Sequence, residues 1–332
     1  MLFRSLVHWR ADHHHHVLGY LDAARFLGGD MALDVSAAEA ACARLGASLG
    51  MDAAETAWGI RQVAIAGMTK AVRSRLAARG LDPRDQVILS YGGCGGLFTP
   101  DIAEAVGSRT VLLPGLASVL SAFGAATTDV RRERLRAVLE PMPADPHLVE
   151  KVCAELRGEV DADLAADGIA DDDRTVGFEA DLRFKRQVWE LSIPIASTGL
   201  EGGGLESLLE RFKDEYGRRY GRGSIVLGAP VELVSLRAVG EGRTVRASLE
   251  AGHPDRVEED TAAQAAGQRS VRLDRDGEGT HPVDVYDAAR LLPGHVLRGP
   301  ALIDGTDTTI WVPRGATVRL GPHGTFTMEL AR

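Results

Sequence analysis

The residues with the greatest chemical potential lie between Val87 and Asp101, in the run Val-Ile-Leu-Ser-Tyr-Gly-Gly-Cys-Gly-Gly-Leu-Phe-Thr-Pro-Asp. Gly92, Gly93, Gly95 and Gly96 follow an apolar stretch and precede Thr99-Pro100-Asp101, which reads as a helix N-cap, a first helical residue and an acidic first turn. Glycine admits positive φ and lets a ligand approach the backbone, and free N–H groups at a helix start favour a polar or anionic ligand. Gly92, Gly93, Gly95 and Gly96, with main-chain amides near Thr99, therefore have the chemistry to hold a nucleotide. The spacing matches neither G-x-G-x-x-G nor G-x-x-x-x-G-K-[ST]. A turn that only lets a strand and a helix pack closely would use the same residues. Cys94 sits inside the turn, where a thiol at a helix start can become a nucleophile. No histidine is adjacent to activate it, and a small packed residue is the competing reading.

Two further groups carry donor atoms. His13, His14, His15 and His16 are consecutive imidazoles of the kind that bind divalent metals. Neighbours on a strand point to opposite faces and do not converge, so a partly exposed run is the alternative to a metal site. Asp304 and Asp307, beside Thr308 and Thr309, read either as an acid pair or as turn-forming aspartates.

The elements that must position these groups follow from periodicity. Ser36-Ala-Ala-Glu39 and Asp52-Ala-Ala-Glu55 are capping boxes opening two helices, stopped near Gly50 and Gly80. Gly59 and Gly67 inside the second helix point to close packing or to a nearby ligand. A strand at Val87–Tyr91, a short helix to Val106, a strand at Thr110–Pro114 and a helix from Gly115 to about Ala126 predict a parallel, doubly wound α/β unit. In such sheets ligands lie beyond the carboxyl ends of the strands, where the glycines fall. Three prolines between Pro141 and Pro146 mark a boundary, followed by a polar helix capped by Asp145 and reaching about Ala166. Phe178–Ile195 alternates like a hairpin, Gly202–Gly204 reads as a joint, and Leu205–Tyr220 is an amphipathic helix. Val231–Gly240 is a further strand, and Glu250–Gln268 reads as a loose excursion. Short strands then follow at Pro282–Tyr286, Gly299–Asp304, Thr308–Val312, Ala316–Leu320 and Thr325–Leu330. The expected division is 1–140 as an α/β domain, 141–173 as a helical linker and 174–332 as a β-rich α+β module.

Composition narrows the function classes. With 332 residues and 45% hydrophobic content the chain can bury substantial cores. A net charge of −9 offers no basic stripe for nucleic acid; Arg131–Arg136 is a short basic cluster expected at a solvated helix or strand end. No apolar run reaches the roughly 18 residues of a membrane helix, and Met1–Arg10 lacks a signal-peptide core. Cys42, Cys94 and Cys153 are widely spaced and odd in number, which favours reduced thiols and a cytoplasmic setting.

Taken in order, several segments resemble the hydantoinase/5-oxoprolinase family, specifically the carboxyl-terminal half of its A-type, ATP-binding subunit. They include Val17–Asp22 with Arg25-Phe-Leu-Gly-Gly29, Asp82–Asp85, Tyr91–Gly96, Ser121–Gly124 and Thr128–Arg131. Arg218–Gly221, Pro230–Arg237, Leu297–Ile303 and Asp307–Pro313 continue the series. The resemblance implies a partial actin/sugar-kinase-like ATPase lobe, with Gly92-Gly93 at the adenosine of ATP, followed by the β-rich module. It further implies ATP and Mg²⁺ as cofactors, a B-type subunit and an amino-terminal ATPase half as partners, and a small-molecule substrate. The family hydrolyses cyclic amides with ATP by way of a phosphorylated carbonyl, or carboxylates ketones such as acetone and acetophenone. The expectation is a subunit or truncated half of a cyclic-amide hydrolase, inactive alone; a ketone carboxylase subunit and a non-catalytic scaffold are the alternatives. No Asp-x-Gly-Gly-Thr turn of the family's phosphate-binding side occurs here. Many relatives carry alanine at the position of Cys94, proline at Gly96 and histidine at Phe98, which weakens the choice between the two chemistries.

Overall fold

The computed structural model describes residues 13–195, 204–225, 228–244, 256–273 and 279–331. The amino-terminal stretch Met1–Arg10, most of the Gly202–Gly204 joint and part of the Glu250–Gln268 excursion lie outside them. The chain is mixed α/β and divides into two compact units, 1–125 with 248–332, and 126–247. The carboxyl-terminal strands join the amino-terminal helices in the first of these units.

In chain order the first unit begins with α1 (His13–Val17), α2 (Val35–Ala47), α3 (Ala53–Ala78), β1 (Val87–Leu89), α4 (Gly95–Val106), β2 (Thr110–Leu113) and α5 (Leu120–Thr127). The second holds β3 (Val130–Pro141), α6 (Pro146–Ala166), β4 (Arg174–Phe184), β5 (Leu191–Ile195), α7 (Gly204–Tyr220) and β6 (Val231–Gly242). The chain then returns to the first with β7 (Thr261–Ala262), β8 (Gly267–Val271), β9 (His281–Asp287), β10 (His295–Arg298), β11 (Ala301–Asp304), β12 (Thr309–Val312), β13 (Thr317–Leu320) and β14 (Phe326–Glu329).

β1 and β2 pair in parallel around α4, as expected of a βαβ unit. The sheet is not doubly wound, however. β14 pairs antiparallel with β2, Met328 opposite Val111, and the order runs β1-β2-β14-β13-β10-β7. A second sheet, β12-β11-β9-β8, stacks on it, and Val111, Leu113, Val318 and Met328 of the first bury against Ile303, Ile310 and Val312 of the second. The far side of the second sheet packs Leu302 and Trp311 against Leu18, Tyr20, Ala57 and Leu97 of the helical layer. No helix among the described residues is long and apolar enough to cross a membrane.

In the second unit α6 carries Val149, Val152, Leu156, Val160 and Leu164 at helical spacing onto the sheet β3-β6-β4-β5. The Arg131–Arg136 cluster lies on β3. Arg132 donates to Asp167, Arg134 to Asp163, and Arg136 to Glu155 and Glu159, so this stripe is matched by acids on and just after α6.

Helix starts depend on which oxygen reaches the free N–H groups. α3 opens with the expected box, Asp52 accepting from the Glu55 N–H and Glu55 from the Asp52 N–H. α2 is instead capped by Asp34, which accepts from the Ala37 N–H and from the Ser36 hydroxyl. Gly59 and Gly67 face open space rather than a tight neighbour: a Cβ at Gly59 would meet only the Met51 methyl at 3.6 Å, and one at Gly67 nothing within 4 Å.

The histidine run folds as α1, and His14, His15 and His16 are buried instead of partly exposed. His15 is 0% exposed, its ring 4.1 Å from that of His14 and 4.7 Å from that of Phe98. Among the described residues neither of its nitrogens has a hydrogen-bond partner. Burial, then the neighbouring His14, Arg61 and His16, holds its imidazole well below the usual histidine range. An unfolded histidine takes a proton near pH 6.5, whereas the folded one resists protonation. Below that pH the unfolded chain binds more protons, so stability falls as pH falls. Thermal midpoints are expected to drop between pH 7 and pH 5, and His15→Leu to flatten the drop; identical pH profiles would contradict this.

Candidate functional site

Each glycine of the central turn has its own task. Gly92 has φ +90°, a conformation suited to glycine, and donates its N–H to the Ala117 carbonyl at 2.6 Å. The Gly95 N–H donates to the Gly92 carbonyl at 3.1 Å, closing the turn. A Cβ on Gly96 would lie 2.7 Å from the Thr309 carbonyl oxygen, so only glycine lets α4 seat on β12. Gly93 is the exposed one, and a Cβ there would come no nearer than 3.4 Å, to the Asp307 carbonyl oxygen.

Thr99 is not the N-cap. Helical structure begins at Gly95 with Cys94 as the cap residue, and Pro100 lies inside α4. Leu97, fully buried against the second sheet and the helical layer, pulls the turn into helical register five residues earlier than the Thr-Pro signature suggests. Thr99 is buried and its hydroxyl accepts from Ser90 at 2.9 Å, bracing the turn from beneath. Cys94 is half-buried at the head of the helix.

Against this turn stands the loop between β11 and β12. Asp304 is buried and held by Arg269, whose Nη2 donates to Oδ2 at 2.5 Å, while Gly305 and Thr308 close a tight turn through a 2.8 Å backbone bond. The Asp307 carboxylate accepts from the Ser118 hydroxyl. Thr308 Oγ1 donates to the Gly93 carbonyl at 3.0 Å, tying the loop to the glycine turn. Two hollows flank that tie. One of about 120 Å³ has Gly93, Cys94, Phe26 and Thr309 in its wall. The other, about 470 Å³, has Gly96, Gly115 and Phe326 in its wall and is within the size range of ligand pockets. Arg25 and the segment Asp304–Thr308 border both. The Arg25 side chain is 52% exposed and meets Asp287 only at 3.4 Å, leaving N–H groups to offer a ligand.

Arg25 and the 304–308 loop thus join Gly93 and Gly96; from the sequence Arg25 has no site role, and Asp304 and Asp307 read only as an acid pair or turn residues. Arg25 and the loop both lie in or beside segments that carry the family resemblance, the signal that marks Arg25. No metal arrangement accompanies them. Among the described residues no three His, Cys, Asp or Glu side chains are placed to hold an ion. Asp304 and Asp307 are engaged by Arg269 and Ser118. These carboxylates, so engaged, do not fit a Mg²⁺ site.

Residues 13–134 match the hydantoinase/oxoprolinase family, and residues 143–330 match the hydantoinase/oxoprolinase C-terminal domain. The chain belongs to this family. It is 30% identical over 319 residues to caprolactamase subunit alpha of Pseudomonas jessenii, covering 94% of this chain and 45% of that one. The acetone carboxylase beta subunit of Xanthobacter autotrophicus is 26% identical over 335 residues, covering 95% and 45%. The crystal structure of the ATP-dependent caprolactamase from Pseudomonas jessenii superposes with a TM-score of 0.74 at 27% identity, over 96% of this chain and 46% of that one. This member of the family therefore spans about half the length of these relatives.

Proposed function

We propose that the chain is one half of an ATP-dependent cyclic-amide hydrolase and supplies the nucleoside-binding wall of its ATP cleft. The observation that carries this is the pairing of an exposed, side-chain-free Gly93 with the Thr308 loop, in a cleft that Arg25 borders. An ATP bound there supplies a phosphoryl group that can activate an amide carbonyl. The contribution of this chain is to bind and orient. Gly93 and the edge of Gly96 give the ligand close approach to the backbone, Arg25 presents a cation to its polar side, and Gly92, Gly95 and Thr99 hold the turn rigid. Hydrolysis then requires the general base and phosphate contacts of a complementary lobe, and a B-type subunit completes the complex.

The test is phosphate release by the chain alone and by the chain combined with those partners. Alone it should release none. Combined, release should depend on a lactam, hydantoin or 5-oxoproline and not on acetone or acetophenone with bicarbonate. Release that only the ketones stimulate would replace this reading with the carboxylase, and an absence of nucleotide binding by the complex would leave a scaffold.

A further inference from the structure

Among the described residues β1 is an edge strand, paired on one side with β2. The Ser90 N–H donates to the Leu112 carbonyl, so by strand alternation the N–H and C=O of Leu89, and the N–H of Tyr91, point to the open side. The side chains divide as well. Ile88 turns inward with Val111 to the buried face, whereas Val87 and Leu89 lie on the outer face, 55% and 50% exposed. Half-buried Leu112 pairs beside Leu89 on that outer face. Further from the edge the same face turns polar. Thr327 and Glu329 on β14, then Thr317 and Arg319 on β13, follow in register, and Thr110 bonds Glu329 across it. A sheet face meant wholly for water would not be apolar only where the ladder is open.

We propose that a strand from the lobe corresponding to the unmatched part of caprolactamase subunit alpha adds to the free edge of β1 and covers Val87, Leu89 and Leu112. More than half of that relative lies outside the match, since the chain spans 45% of it. The inference rests on the reading above that the chain works beside a complementary lobe, and it places where the two meet. The outward N–H and C=O groups supply the ladder, and the apolar patch sets which side of the incoming strand carries hydrophobic side chains.

The experiment combines the purified chain with the polypeptide from its own source that matches the remainder of caprolactamase subunit alpha, without nucleotide. Failure of turnover therefore cannot be mistaken for failure of docking. A one-to-one complex is expected, with hydrogen exchange at the Leu89 and Tyr91 amides slowed at least tenfold relative to the chain alone. The double variant Val87→Lys/Leu89→Lys should bind at least tenfold more weakly while keeping the wild-type thermal midpoint, because both positions are exposed. Leu89→Pro, which deletes an outward-facing donor together with one side chain of the patch, should also weaken the complex. Wild-type affinity in these variants, unchanged exchange at Leu89, or a self-paired dimer of the chain with β1 protected would each overturn the proposal.

Discussion

Replacing Asp101 with alanine is expected to cost more stability than replacing Arg61 with methionine. Arg61 on α3 is 1% exposed, and its Nη2 donates both to the Leu97 carbonyl at 3.0 Å and to Asp101 at 2.5 Å. The guanidinium lies 4.8 Å from the ring centre of Tyr20, whose hydroxyl burial pushes up to about 12, and 5.9 Å from that of Trp58. Asp101 is 26% exposed at its side chain. The two ends of the pair therefore differ in what they face once orphaned. Loss of Asp101 strands a buried cation on one carbonyl and two ring faces, for which about 3–5 kcal/mol is the usual magnitude. Methionine at position 61 keeps most of the buried stem, removes the charge and leaves Asp101 able to hydrate, for roughly 1–2 kcal/mol. Denaturant unfolding of both variants checks the order. The double variant should lie near Arg61→Met alone, because the second substitution then removes nothing buried. The reverse ranking would mean that packing of the arginine, not its charge, sets the cost.

What the sequence reveals here is decided by distance along the chain. The Asp52–Glu55 box and the span Pro146–Ala166 of α6 emerge as expected, since each depends on contacts within a turn or two. Strands β9, β11, β12, β13 and β14 are likewise legible from alternation and punctuation. β3 is not, because Arg132, Arg134 and Arg136 read as a solvated cluster until α6 brings its acids opposite them. The mixed first sheet escapes local reading as well: its central register joins Val111 to Met328. The same holds for the site. A glycine turn is visible in one dimension, but Arg25, Gly93 and Thr308 meet only when three distant segments fold together. Even the turn misled at its helical end, where a Thr-Pro pair imitates a helix start that tertiary packing of Leu97 has already moved to Gly95.

Alanine at Gly93 and alanine at Gly96 should fail in different ways, and the difference separates ligand contact from packing. At Gly96 the new Cβ would lie 2.7 Å from the Thr309 carbonyl oxygen and 3.1 Å from Ile310 Cα, both backbone atoms that cannot rotate aside. α4 must then lift from β12, and overpacking of this kind costs about 1–3 kcal/mol in folding stability. At Gly93 the nearest atom would be the Asp307 carbonyl oxygen at 3.4 Å, an ordinary contact, so stability should stay within about 0.5 kcal/mol of wild type. The added methyl nevertheless stands on the exposed lip of the cleft, where a ligand resting on bare backbone has to give way. Nucleotide affinity of the assembled complex is expected to fall about tenfold, equivalent to roughly 1.4 kcal/mol. Thermal unfolding of each variant and calorimetric titration of each complex with ATP make the comparison. Unaltered affinity in Gly93→Ala would take this wall out of the nucleotide site and leave all of the central glycines as packing residues.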